Sequence, residues 1–100
     1  MNTHPMQLVT VVCEALARGP VERLLTAVGA HGYTAFTVEG AGAQGRRTGD
    51  IREFGNVQIE VIVPPAVADV LLGRLQQEFF PQYAMIAYAM EVRVLRREKF

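Results

Sequence analysis

Asn56-Val57-Gln58-Ile59-Glu60-Val61-Ile62-Val63, followed directly by Pro64-Pro65, is the stretch that decides the fold. Val57, Ile59 and Val61 alternate with Gln58 and Glu60, the period of two expected of a strand with one buried face. Glu60 belongs to the opposite face, where we expect an exposed sheet or interface residue. The paired prolines then open a helix, because proline is tolerated in a first helical turn. Val67, Val70, Leu71 and Leu75 recur at helical spacing and form its expected apolar stripe. Phe79-Phe80-Pro81 ends that helix, and Ala84 to Leu95 reads as a last strand that extends past the body of the domain.

Upstream of Asn56 lies the sixteen-residue run GAGAQGRRTGDIREFG, Gly40 to Gly55, with five of the nine glycines and three arginines. Loops of this length inside a compact domain are uncommon and usually functional or disordered. Glycine admits close backbone approach, and arginine offers a forked, permanent charge to phosphate or carboxylate. The loop is therefore the first candidate for anion capture. With no apolar anchor between Gly40 and Ile51, we expect it to be mobile in the free protein and ordered by a ligand.

Before the loop, Tyr33 to Glu39 is rich in strand formers. Val21, Leu24, Leu25 and Val28 mark a helix that Gly29 and Gly32 stop. That helix begins at Gly19-Pro20 or already at Glu14. Met6 to Cys13 is apolar and β-branched and reads as a buried strand. The order is β-α-β-β-α-β in a single domain, residues 1–100. It predicts an α+β, ferredoxin-like fold with both helices on one face of a four-stranded antiparallel sheet. At 100 residues such a layer pair is small, which favours association of copies.

Ten basic and ten acidic residues cancel, which argues against broad nucleic-acid binding. The strand NVQIEVIV has no aromatic on which a base could stack, so the RNA-binding use of this fold fits poorly. The single Cys13 is read as a small buried residue. The N-terminal residues do not read as a signal peptide, no run approaches a membrane span, and a cytoplasmic protein is expected. His4 and His31 do not fall at ligand spacing with Cys13 or a carboxylate, so no metal site is expected. No Ser-His-Asp or Cys-His arrangement is present, Glu39 and Asp50 have no fixed separation, and we expect no enzyme. Phe36, Phe79 and Phe80 read as core or subunit-interface aromatics.

The strand order, the Gly32-Tyr33-Thr34 approach to the second strand, Gly40-Ala41-Gly42 and the VQIEVIV strand together resemble the PII signalling superfamily. YTAFTVEGAG, Arg47-Thr48-Gly49 and Glu78-Phe79-Phe80-Pro81-Gln82-Tyr83-Ala84 are similar to the carboxysome-associated and bicarbonate-transporter-associated PII-like proteins. The resemblance implies a homotrimer that binds adenine nucleotides between subunits. Residues 40–55 would be its mobile T-loop. Gly40 and Gly42 would then sit beside the phosphates, with Arg46 or Arg47 as the phosphate or bicarbonate contact. Thr48 and Gly49 would complete a bicarbonate site. Thr34 and the backbone of Glu60, Val61 and Ile62 would lie near adenine and ribose. Tyr83, Ala84, Met85, Ile86 and Ala87 would replace the nucleotide-clasping B-loop. Arg93, Arg96 and Arg97 would lie near the nucleotide, or be solvated end charges. A bicarbonate transporter or a carboxysome component is the implied partner.

The chain departs from the nitrogen-sensing members in two places. The glycine- and lysine-rich B-loop is replaced by QEFFPQYAM, and the arginine after the second loop glycine is Ala43. Both changes weaken a triphosphate clasp, so ADP or AMP is expected over ATP. The loop also lacks the tyrosine that some nitrogen sensors present for modification. Arg97-Glu98-Lys99-Phe100 carries no cysteine pair, so no redox switch of the kind found in some transporter-associated relatives is expected. The alternative reading is a trimeric metal-tolerance protein of the same fold, or a small enzyme.

Overall fold

The structure is a computed structural model that describes residues 2–39 and 55–100. Strand β1 (His4–Glu14) leads through a single 3-10 turn, Ala15–Ala17, into helix α1 (Arg18–Ala27). Strands β2 (Thr34–Val38) and β3 (Asn56–Val63) follow, then helix α2 (Pro65–Arg74). A π-helical turn (Leu75–Phe79) continues α2, and β4 (Met85–Val94) and a 3-10 turn (Arg97–Lys99) complete the chain.

The strands lie in the order β2-β3-β1-β4, every neighbouring pair antiparallel. Each helix thus crosses over one intervening strand, which is the expected ferredoxin-like arrangement. β1 pairs with β4 from His4↔Val94 to Cys13↔Met85 and with β3 from Gln7↔Val63 to Glu14↔Asn56. Among the described residues β2 pairs with β3 from Thr34↔Glu60 to Val38↔Asn56.

Register assigns the faces. Val9, Val11 and Cys13 stand beside Val57, Ile59 and Val61, and all are buried under Val21, Leu24 and Leu25 of α1 and Ala68 and Leu71 of α2. Fully burying such side chains contributes roughly 1.5–3 kcal/mol each, which makes this the stabilising layer. Glu60 points away from that layer, as the alternation requires.

The helical path leaves the sheet directly after Glu14, and Pro20 lies within the first turn of α1, where its missing N–H leaves no bond unmade. Gly29, at φ 89°, ends α1, and the Ala30 N–H reaches back to the Leu25 carbonyl at 3.0 Å. The stripe expected on α2 needs correction. Val70 is 53% exposed, while Ala68, Leu71 and Leu75 face the sheet and Val67 is half-buried. A helix turns about 100° per residue, so Val70 falls outside the arc centred on Leu71.

The end of α2 also differs from a plain stop. The Phe80 N–H bonds the Leu75 carbonyl at 2.9 Å, an i→i+5 bond, so the last turn is wide. Phe79 joins the core, 9% exposed, whereas Phe80 is 41% exposed and is not a core aromatic.

Candidate functional site

Among the described residues, no helix covers the second face of the sheet. On it Phe36, Ile86, Tyr88 and Met90 are exposed large hydrophobics, with Thr10 buried between Glu60 and Tyr88 in the ladder. Ile86, Tyr88 and Met90 follow one another along the same face of β4, and exposed apolar surface of that kind marks a contact surface. The described candidate residues fall towards the two ends of the sheet.

At one end, the C-terminus of β1 gathers the flanks of the long loop. The Glu14 N–H donates to the Ala84 carbonyl and the Ala15 N–H to the Gly55 carbonyl, both at 3.3 Å. Val38, where β2 runs towards the loop, pairs with Asn56, where β3 leaves it. Gly55 has φ 75°, a conformation that a residue with a side chain adopts at a cost. Asn56 keeps its Oδ1 buried with no hydrogen-bond partner among the described residues.

Of the five residues from Tyr83 to Ala87, which lead into β4, Tyr83, Met85 and Ala87 pack against the hydrophobic core. Only Ala84 and Ile86 are exposed, so Tyr83, Met85 and Ala87 offer a ligand little beyond their backbone. Gly40, Gly42, Arg46, Arg47, Thr48 and Gly49, and with them the expected loop mobility, lie outside the described residues.

At the other end a cleft of about 210 Å³ opens beside Thr34, Glu60 and Ile62. Leu8, Gly32, Tyr33 and Phe100 complete its lining. Glu60 accepts a 3.0 Å hydrogen bond from Gln58 Nε2 on the same strand. Val61 is 2% exposed and its side chain is in the core, so it can meet a ligand only through its backbone. Arg93, paired with Pro5 at this end of the sheet, is exposed, and Arg96 pairs loosely with Glu98 at 3.6 Å.

Tyr33, on the cleft wall, interacts electrostatically with Glu22 of α1. The Arg18 guanidinium, and after it the Tyr33 hydroxyl, hold the Glu22 carboxyl below the usual carboxylate range. The same interaction pushes the Tyr33 hydroxyl up from its ordinary value.

The sequence reading missed Leu8, Phe100 and Asn56. Leu8 was legible through register, because it shares the alternation of Glu60's face. Phe100 carries no periodic signal, since its place depends on the fold of the final turn.

The match of residues 6–99 to the family model of the nitrogen regulatory protein P-II decides the relationship. The chain belongs to the P-II family. Its structure is similar to that of a PII-like signalling protein of Thermus thermophilus, at 42% identity and TM-score 0.84 over 100% of this chain and 99% of that one. CPII, a nitrogen regulatory PII-like protein of Thiomonas intermedia, shares the fold at 23% identity and TM-score 0.88, covering 99% of this chain and 96% of that one. That structure is bound to ADP, AMP and bicarbonate. An apo form of CPII matches at 20% identity and TM-score 0.78 over 95% of this chain and 97% of that one. No curated protein matches the chain.

Among the described residues of this P-II chain, no group of three or more His, Cys, Asp or Glu is placed to hold a metal ion. No described helix is long and apolar enough to cross a membrane.

Proposed function

We propose that this P-II protein is a trimeric, non-catalytic sensor that binds ADP or AMP between neighbouring copies and signals through its T-loop, residues 40–55. The observation that carries this reading is the split of the candidate residues. The loop base, with Ala84 and Gly55, stands at one end of the uncovered face, and the Thr34–Glu60 cleft stands at the other. Asn56 to Glu60 is four residues of strand, about 13 Å. A neighbouring copy brings the cleft end of one sheet to the loop base of the next, and the uncovered apolar face supplies the contact.

The chemistry of each half fits a different part of a nucleotide. Glycine amides and Arg46 or Arg47 at the loop side suit phosphates. The cleft, with apolar side chains beside the hydroxyls of Tyr33 and Thr34 and the Glu60 carboxylate, suits adenine and ribose. Arg93, Arg96 and Arg97 at the cleft end would cross to the neighbour's phosphates. Bicarbonate is the candidate second ligand, held by Arg46, Arg47, Thr48 and Gly49. Anion contacts would offset the entropy of fixing the loop, so that its order becomes the output. A bicarbonate transporter or a carboxysome component in the cytoplasm would read it. The ligands of CPII support this assignment.

A thermal-shift panel of AMP, ADP, ATP, cyclic AMP and bicarbonate tests the reading. Stabilisation by ADP or AMP above that by ATP is the expected result, and no shift with any nucleotide would sink it. Limited trypsin digestion tests the output: cleavage after Arg46, Arg47 or Arg52 should slow in saturating ligand. Equal cleavage rates would remove the loop mechanism even if nucleotide binds.

A further inference from the structure

One wall of the cleft has no role in the reading above. Leu8 and Ile62 line the cleft from the uncovered sheet face, and Thr34 and Glu60 add polar groups. Phe100 lines it too, brought back over the sheet by the turn Arg97–Lys99. The Lys99 N–H bonds the Arg96 carbonyl at 3.0 Å and the Phe100 N–H bonds the Arg97 carbonyl at 3.1 Å, which fix the turn's direction. Met6 and Val94, at this end of the sheet, are buried although they lie outside the main core cluster. Phe100 itself is only half-buried.

Size and charge select what can enter. About 210 Å³ is less than the ~300–1,000 Å³ of pockets that enclose a whole drug-sized ligand, so the cleft takes one ring system and the edge of a sugar. The Glu60 carboxylate repels phosphate, which leaves the uncharged base as the occupant. A base between apolar walls is held largely through its π-face. The cleft has two aromatics. Tyr33 stands directly before β2, whereas Phe100 rides on a short exposed turn.

We propose that Phe100 is a stacking lid for the nucleobase, closing the cleft over a ring seated against Leu8 and Ile62. This inference rests on the nucleotide reading above. It adds a base contact that is indifferent to the number of phosphates.

Calorimetry on the full-length protein with ADP and AMP tests it, using Phe100→Ala and Phe100→Trp. Phe100→Ala should weaken both nucleotides by the same factor, about ten-fold, the scale of one lost base–aromatic stack. Phe100→Trp should bind both at least as well as the wild type. Unchanged or tighter binding to Phe100→Ala, with the wild type binding ADP normally, overturns the lid alone. A change of assembly in Phe100→Ala, read by light scattering, would make the residue a subunit contact and also overturn the lid. A wild type that binds neither nucleotide overturns both the lid and the nucleotide reading.

Discussion

Leu71 and Val70 are neighbours on α2 with opposite surroundings, 0% and 53% exposed. Leu71→Ala should destabilise the protein by about 2–5 kcal/mol, the usual range for emptying a core site. Val70→Ala should change stability by less than about 0.5 kcal/mol. Urea unfolding of the two variants measures both. The pair also marks a limit of sequence reading. β3 alternates strictly, so its two faces could be assigned from residues alone. α2 carries Val67, Val70, Leu71 and Leu72 around more than one side, and apolar spacing could not choose the arc that meets the sheet. At the same scale, Arg47→Ala should weaken ADP by one to two decades, because a charge-assisted phosphate contact contributes roughly 1.5–3 kcal/mol. If neither Arg46→Ala nor Arg47→Ala changes affinity, the loop arginines are bystanders.

Elements are coupled at their ends, and the exposed link between α1 and Tyr33 has a definite pH signature. The Glu22 carboxyl is held low by Arg18 and then Tyr33, so its contribution is present above the ordinary value of 4.5 and fades as pH falls through the lower folded value. The Tyr33 hydroxyl is held high, so its contribution is present below the ordinary value of 10.0 and is lost as pH rises through the folded value. Both groups are solvent-facing, so the effect is small. Glu22→Gln should lower the melting temperature slightly at neutral pH, and the difference from wild type should vanish in acid. A difference that persists unchanged in acid would place the role of Glu22 in packing. The junction of α2 with β4 shows what sequence could and could not reach. Phe79-Phe80-Pro81 announced a helix end, but which phenylalanine turns inward depends on the wide i→i+5 turn. That turn puts Phe79 in the core, 6.0 Å from the Tyr83 ring, and so sets the path to Ala84 at the loop end of the site.

At the scale of the whole molecule, the two half-sites and the face between them stand or fall together. The order of elements made the sheet topology legible, because two βαβ halves have few ways to pack. The cleft was only half legible: Thr34, Glu60 and Ile62 came from the resemblance to the PII-like proteins, whereas Phe100 reaches it through a fold of the backbone that no periodicity encodes. The sharpest test uses Ile86 and Met90, 60% and 54% exposed on the face opposite the helix-covered core. Ile86→Arg with Met90→Arg would place charges where copies meet, and burying an unpaired charge there is strongly unfavourable. The wild type should scatter light as three copies of the 11.0 kDa chain, and the double variant as one. Far-UV circular dichroism should remain that of the wild type, since neither side chain is part of the core. ADP binding should disappear with the assembly, because the loop base of one copy would no longer meet the cleft of another. A folded monomer that still bound ADP with wild-type affinity would mean that one chain supplies the entire site, and the intersubunit reading would be wrong.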